Sequence, residues 1–247
     1  MAVWTVVRGS SYDAGMQQAS SATEPVSGRK AGSSWAPVAL GLFVVISAAR
    51  LIAIPLDWSD LARSTTFLLM PSLALWVLAR RGPMLLVAAL LCSAAGDILL
   101  GTDGLFLAGM GAFALAHVAY VTLFVRSGAL VALRRRWFLL LPYVVVLDAL
   151  TLWLWPDLGE LRIPVLVYAG LLTATAVTAG ALDWRLGLGG ALFFVSDAMI
   201  AVWRIAGKPA PPLPGLWIMS TYILAQYLLA RGVLRRAGQR DGGGESA

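Results

Sequence analysis

Eight long apolar runs alternate with short polar segments along this sequence. Each run is close to the ~20 residues that an α-helix needs to cross ~30 Å of hydrocarbon. Lipid offers no partner to backbone N–H and C=O groups, so the crossing segments must be helical. The pattern therefore predicts an all-α, polytopic membrane bundle of eight transmembrane helices. The predicted helices are 35–54, 64–79, 83–101, 104–125, 137–155, 163–181, 187–206 and 213–231.

The composition also indicates that lipid is part of the solvent. Hydrophobic residues make up 59% of the chain and the mean hydropathy is +0.79, whereas charged residues make up only 13%. A soluble domain carries about 25% charged residues and could not bury this much apolar surface. Residues 1–34 and 232–247 are polar and rich in small side chains. We expect them to be disordered tails on either side of a transmembrane domain at 35–231.

The basic residues are distributed unevenly between the two sides of the predicted bundle. Of the 19 Lys and Arg residues, 14 lie on the side of the two tails. The positive-inside rule therefore predicts a multi-pass protein of the cell membrane with both termini in the cytoplasm. The net charge of +6 is explained by this orientation, and no nucleic-acid partner is expected. The five basic residues of the other side are Arg50, Arg63, Arg162, Arg204 and Lys208.

Polar side chains nevertheless lie inside the apolar runs. An ionisable group at the bilayer centre costs roughly 2.5–3.5 kcal/mol on insertion scales, so it needs a partner or a function. Two explanations stay open. The groups pair with one another and hold the bundle together, or they surround a polar cavity that opens toward the outer leaflet. The ionisable residues are Asp97, His117, Asp148 and Asp197, and the uncharged ones are Ser93, Tyr120, Ser196, Tyr222 and Gln226.

Two of these aspartates occupy similar positions in the two halves of the chain. Gly96-Asp97 in the third predicted helix is followed by Phe-Ala-Leu-Ala-His in the fourth. Ser196-Asp197 in the seventh is followed by Tyr-Ile-Leu-Ala-Gln in the eighth. The similarity predicts two parallel four-helix repeats with a pseudo-two-fold axis along the membrane normal. Such an axis would place Asp97 and Asp197 across the centre from each other.

The residue types favour carboxylate chemistry over other hydrolytic sites. One histidine and one cysteine show no zinc-ligand spacing, and a Ser-His-Asp triad would lack the Gly-x-Ser-x-Gly elbow. Two carboxyl groups in a desolvated pocket can hold different protonation states, which provides an acid and a base at neutral pH. We therefore expect no cofactor and no metal.

Four segments resemble the signature of one family. They are Gly96-Asp97, residues 111–120, Ser196-Asp197 and residues 222–226. In this order they resemble the lysoplasmalogenases, YhhN-like membrane proteins, over roughly residues 37–231. This family is sometimes grouped with zinc-dependent alkaline ceramidases, whose several histidines this chain lacks.

The resemblance implies a membrane hydrolase that cleaves the vinyl-ether bond of lysoplasmalogens. It makes Asp97 and Asp197 the catalytic carboxylates and a lysophospholipid the substrate. We expect a monomer or homodimer that contacts membrane lipid. A small-molecule or lipid transporter with a polar site at the midplane is the main alternative, because parallel repeats are common in carriers. The expected substrate-binding residues are Ser93, His117, Tyr120, Asp148, Ser196, Tyr222 and Gln226.

The charge distribution makes the orientation testable. Reporter fusions at the C-terminus should be active in the cytoplasm and silent outside it, because the basic loops resist translocation. A fusion after residue 208, in a loop expected outside, is the matched control and should give the opposite signals. A C-terminal reporter that is active only outside the cytoplasm would contradict the predicted orientation.

Overall fold

A computed structural model describes residues 33–243 of the chain and the side chains as far as residue 239. Nine α-helices form within these residues. A 3₁₀ turn precedes α6 and another precedes α7, and a π-helical segment, Ala201–Ile205, continues α8. The helices are α1 Ala36–Ala53, α2 Ser59–Ala79, α3 Met84–Leu100, α4 Phe106–Arg126, α5 Ala129–Arg135, α6 Leu140–Leu154, α7 Arg162–Leu182, α8 Trp184–Ile200 and α9 Pro214–Gly243.

A helix lies at each of the eight predicted runs, so the all-helical prediction is confirmed for the described residues. Six helical segments within them are long and apolar enough to cross a membrane, and α3 is a shorter apolar helix. The chain is therefore a multi-pass membrane protein, while the count of eight crossings stays a prediction. The six segments are Ala36–Ala53, Ser59–Ala79, Phe106–Arg126, Trp137–Leu154, Gly159–Leu182 and Trp184–Ile205.

Three features of the helices differ from the predicted boundaries. Helix α2 begins at Ser59 instead of 64. Asp60 in its first turn stabilises this earlier start, because its negative charge lies at the positive end of the helix dipole. Helix α5 was not predicted; it follows Gly128, whose φ of 93° allows the turn after α4. Helix α9 continues to Gly243, so the segment expected to be a disordered tail from 232 begins as helix. The remaining expectation, disorder in residues 1–34, falls almost wholly outside the described residues.

The extension of α9 has a packing reason. Val233 and Leu234 are 7% and 9% exposed and belong to the hydrophobic core. Leu234 packs against the turn at Gly82, between α2 and α3. Because these side chains are buried, the helix gains apolar contacts by continuing past 231.

Small residues bring some helices into close contact. A Cβ atom added to Gly190 of α8 would lie 2.6 Å from the Cα atom of Ala176 on α7. Lipid tails are as apolar as Leu, so helices in a membrane associate largely through such close packing. Helix α6 is different, because Leu154 is its only buried residue. It packs on α7 at the edge of the bundle and presents its other faces outward.

Tryptophans near the helix ends are exposed, as expected of side chains that anchor at the membrane interface. The five concerned are 38–64% exposed. They are Trp35, Trp137, Trp153, Trp155 and Trp217.

The close approach at Gly190 predicts a stability defect. Gly190→Ala should lower the midpoint of thermal unfolding in detergent, because its Cβ atom would overlap the α7 backbone and overpacking costs about 1–3 kcal/mol. Gly170→Ala is the matched control, since a Cβ atom there meets nothing within 4 Å and alanine favours helix. Equal midpoints for the two variants would contradict this packing.

Candidate active site

A polar cavity of about 630 Å³ lies where the C-terminal ends of α1, α3 and α8 meet the N-terminal ends of α2 and α9. Both aspartates of the predicted repeats line it. The structure thus brings Asp97 and Asp197 to one site, as the sequence predicted. The charged and hydroxyl side chains in its wall include Arg50, Arg63, Asp97, Asp197, Arg204 and Tyr222.

Asp97 lies in the last turn of α3 and is fixed from α9. The Tyr222 hydroxyl donates a hydrogen bond to its Oδ2 atom at 2.8 Å. Gly96 lets the neighbouring α4 come close, because a Cβ atom there would lie 2.4 Å from the Phe113 ring. Phe113 in turn packs edge to face against Tyr222, with ring centroids 6.0 Å apart. Contacts with α4 and α9 therefore set the direction of the Asp97 carboxyl group.

Asp197 lies in the last turns of α8 and is fixed from α7. The Tyr168 hydroxyl donates a hydrogen bond to its Oδ2 atom. The Nε2 atom of His117 is 3.9 Å from the same oxygen, and the Asp197 side chain is only 10% exposed. Each aspartate thus receives a tyrosine hydroxyl at one carboxyl oxygen. Within residues 33–239, the Oδ1 atoms of both aspartates make no hydrogen bond, which leaves them for a ligand.

His117 has a hydroxyl partner at each ring nitrogen. Its Nδ1 atom is 3.1 Å from the Thr175 hydroxyl, and its Nε2 atom is 3.2 Å from the Tyr168 hydroxyl. Tyr168 donates its single hydroxyl proton to Asp197, so it can only accept from His117. The Nε2 atom of His117 must therefore carry a proton and donate it to the Tyr168 oxygen. The neutral ring then accepts from Thr175 at Nδ1. The imidazolium ring donates to Thr175, whose own proton goes to the carbonyl oxygen of Leu171, 3.1 Å away. His117 therefore keeps its partners in both protonation states.

A second polar network lies behind Tyr222. The Tyr120 hydroxyl donates to Oε1 of Gln226 at 2.5 Å, and Nε2 of Gln226 donates to the Ser93 hydroxyl at 3.1 Å. All three side chains are fully buried. This network ties α3, α4 and α9 together and so supports the helices that carry Asp97 and Tyr222.

The placement of the predicted substrate-binding residues differs from the expectation. Of the seven, Ser196 and Tyr222 line the polar cavity. The Ser196 hydroxyl already donates a hydrogen bond to the carbonyl oxygen of Ile218. Ser93, His117, Tyr120 and Gln226 lie one layer behind the wall, because their polar atoms pair with one another and with Tyr168 and Thr175. Asp148 is not at the site at all: it is on an exposed face of α6.

Sequence reasoning missed Tyr168 and Thr175. They are seven residues apart on α7, so they lie on one helical face, as His117 and its neighbours do on α4. That spacing was the available signal. It was overlooked because uncharged hydroxyls carry little cost in an apolar run and do not stand out as the aspartates do.

An apolar pocket adjoins the polar cavity between α4, α6, α7 and α8. Asp197 lines both spaces, together with Leu100, Phe113 and Ile200. Asp97 lines only the polar one. Asp197 therefore stands at the junction of an apolar and a polar compartment. The apolar wall includes Phe106, Met110, Leu147, Leu154, Leu172 and Phe194.

The residues at the site do not fit a metal centre. Among the described residues, no group of three His, Cys, Asp or Glu side chains is placed to hold one ion. Both nitrogens of the single histidine have hydroxyl partners, and the two aspartates belong to separate hydrogen-bond networks. We therefore derive no step through a metal.

Comparison with known proteins places this architecture in a family. The YhhN family matches residues 61–233, which include both aspartates and both tyrosines that bond them. The chain belongs to the YhhN family. No solved structure matches it.

The curated relatives of this YhhN-family chain carry one name. This chain is 38% identical over 150 residues to lysoplasmalogenases of Mycobacterium bovis and Mycobacterium tuberculosis. The match covers 53% of this chain and 54% of each relative. The chain is 36% identical over 150 residues to the human lysoplasmalogenase TMEM86B, covering 60% of this chain and 63% of the relative. The chain thus spans between half and two thirds of the length of these relatives.

Proposed function

We propose that this chain is a membrane hydrolase that cleaves the vinyl-ether bond of lysoplasmalogens. The products would be a fatty aldehyde and glycerophosphoethanolamine or glycerophosphocholine. The observation that carries the proposal is the pair Asp97 and Asp197, whose carboxyl groups line one cavity. The names of the curated relatives support it, whereas no relative supports the transporter alternative.

The two compartments suit the two parts of such a substrate. A lysoplasmalogen has one hydrocarbon chain, and the apolar pocket between α6 and α7, with a volume of about 90 Å³, would receive the part of the chain next to the vinyl ether. Its charged headgroup fits the polar cavity, whose 630 Å³ is within the usual range of 300–1,000 Å³ for ligand sites. The vinyl ether connects chain and headgroup, so it would lie at the junction beside Asp197.

Vinyl ethers resist base and are hydrolysed by acid. A proton adds to the β-carbon of the double bond and produces an oxocarbenium ion. Water then attacks the carbon next to oxygen and gives a hemiacetal, which breaks to an aldehyde and the free glycerol hydroxyl. Glycosidases handle a related oxocarbenium ion with two carboxyl groups, one acid and one ionised.

We base the proposed roles of the two aspartates on their positions. The β-carbon is on the hydrocarbon side of the ether, and Asp197 is the aspartate that borders the apolar pocket. We therefore assign Asp197 as the proton donor, acting through Oδ1. Asp97, on the headgroup side, would stabilise the oxocarbenium ion and take a proton from the attacking water. Asp97 then returns that proton to the glycerol oxygen as the hemiacetal breaks, and Asp197 recovers one from the hemiacetal hydroxyl.

Tyr168 would act as a positioning residue. Its hydroxyl holds Oδ2 of Asp197, so Oδ1 would be the oxygen available to the substrate. His117 and Thr175 hold Tyr168 in turn. A carboxylic acid must lie within hydrogen-bond reach of the atom that it protonates. Loss of the hydrogen bonds that hold Asp197 should therefore lower kcat.

The function is tested by incubating the purified protein with a lysoplasmalogen and measuring aldehyde release. We expect aldehyde from the vinyl ether and none from the matched saturated 1-O-alkyl lipid, because only the vinyl ether forms an oxocarbenium ion on protonation. Release from neither lipid, by protein that is folded and monodisperse, would contradict the proposal.

Removing either carboxyl group should abolish this activity. Asp97→Asn and Asp197→Asn should each lower kcat by at least about 100-fold, since an amide neither donates the proton nor stabilises the cation. Folding should survive, because asparagine keeps the shape of the side chain and its amide oxygen can still accept the tyrosine hydroxyl bond.

Asp148→Asn is the matched control for these two variants. Its side chain is exposed on α6, away from both compartments, so the structure predicts nearly parental activity. Losses under about tenfold at Asp97 or Asp197, or a large loss at Asp148, would contradict the assignment of the site.

Tyr168→Phe should lower kcat by about 10- to 100-fold, because a hydrogen bond to a charged group contributes roughly 1.5–3 kcal/mol. Phe193→Leu serves as the packing control: Phe193 lies against His117 without a polar contact. A Tyr168→Phe enzyme that loses no more kcat than the Phe193→Leu enzyme would show that Tyr168 has only a structural role.

A further inference from the structure

Three arginines from three different segments line the polar cavity. Arg50 is in the last turn of α1, Arg63 is near the start of α2, and Arg204 is in the π-helical segment after α8. The cavity wall also carries three carboxyl groups, Asp97, Asp103 and Asp197, yet within residues 33–239 none of these guanidinium groups lies within 4.0 Å of a carboxylate oxygen. The cavity therefore has three cationic groups without an ion-pair partner.

Arg50 is held in position from α2. Its Nη1 atom donates a hydrogen bond to the carbonyl oxygen of Ala62 at 2.8 Å, and its Nε atom is buried without a hydrogen-bond partner among the described residues. An arginine fork presents five N–H donors, so most of its capacity is unused here. Planar guanidinium groups match the oxygens of a phosphate, to which they bind in a bidentate manner.

The three guanidinium groups disfavour the proposed cationic intermediate, and a bound anion would offset them. The oxocarbenium ion would form beside Asp97, in a cavity whose wall also carries Arg50, Arg63 and Arg204. Positive charges that line the same cavity oppose the developing cation. A bound anion on the headgroup side would remove that repulsion.

We propose that Arg50, Arg63 and Arg204 form a binding site for the phosphodiester of a single-chain lipid headgroup. The site selects lysophospholipids over uncharged alkenyl or alkyl glycerols. The inference rests on the proposed function for the placement of the chain, which puts the headgroup in this cavity. It predicts a property of binding that does not require turnover.

The test measures binding of two saturated ether lipids to the purified protein in detergent. One is a 1-O-alkyl lysophosphatidylethanolamine, and the other is the 1-O-alkylglycerol with the same chain but no phosphate. The parent should prefer the phospholipid. Arg63→Met and Arg204→Met should each weaken phospholipid binding about 10- to 100-fold and leave alkylglycerol binding unchanged, because each loses charge-assisted hydrogen bonds.

Arg80→Met is the matched control for Arg63→Met. Arg80 follows the other end of α2, is exposed, and is not in the cavity wall, so binding of both lipids should be unchanged. Arg50→Met would also remove the hydrogen bond to Ala62 and could disturb folding. The test therefore uses Arg63 and Arg204, which are exposed. Inorganic phosphate and glycerophosphoethanolamine are added as competitors, and both should compete far more weakly than the lipid.

The outcomes separate this proposal from the hydrolase proposal. Selective phospholipid binding that Arg63 and Arg204 control, without aldehyde release from a lysoplasmalogen, would support the headgroup site and contradict the hydrolase. The headgroup site is overturned if the parent binds both lipids equally, or if the two variants weaken both lipids to the same extent. It is also overturned if inorganic phosphate competes as well as the lipid does.

Discussion

A carboxyl group inside a lipid-embedded bundle must be hydrogen-bonded or paired, because lipid offers it nothing. In this protein one tyrosine hydroxyl meets that need at each aspartate: Tyr222 at Asp97 and Tyr168 at Asp197. Each bond uses one carboxyl oxygen, and the other makes no hydrogen bond within the described residues. The rest of the site follows from this arrangement, since the buried networks behind the tyrosines hold the side chains that bond the two carboxyl groups.

The two aspartates are not held symmetrically by the two halves of the chain. Tyr222 on α9 bonds Asp97 from the other half, whereas Asp197 accepts from Tyr168 on α7 of its own half, with His117 of α4 3.9 Å away. The parallel repeat stays a prediction. The environments also differ. Asp197 borders an apolar pocket whereas Asp97 borders only the polar cavity, and this difference allows one carboxyl group to act as acid and the other as base.

The sequence was most informative where free-energy costs are large. Apolar runs predicted a helix at each of eight places, and the cost of charge in lipid singled out Asp97 and Asp197. It was less informative about how each helix is rotated, since that depends on neighbouring helices. Asp148 therefore lies on an exposed face although it is inside an apolar run, and Gln226 lies behind the cavity wall. Tyr168 was missed because a hydroxyl among apolar residues adds little cost, and the reach of α9 depends on buried contacts of Val233 and Leu234.

The central claim is that a carboxylic acid of the protein adds a proton to the β-carbon of a vinyl ether. Hydrolysis in D2O tests it most directly, with the aldehyde reduced to the alcohol as it forms to prevent later exchange. The account predicts one deuterium on the carbon next to the former aldehyde carbon, with a normal solvent isotope effect on kcat. An alcohol without deuterium at that carbon would contradict protonation on carbon, and with it the roles assigned to Asp97 and Asp197.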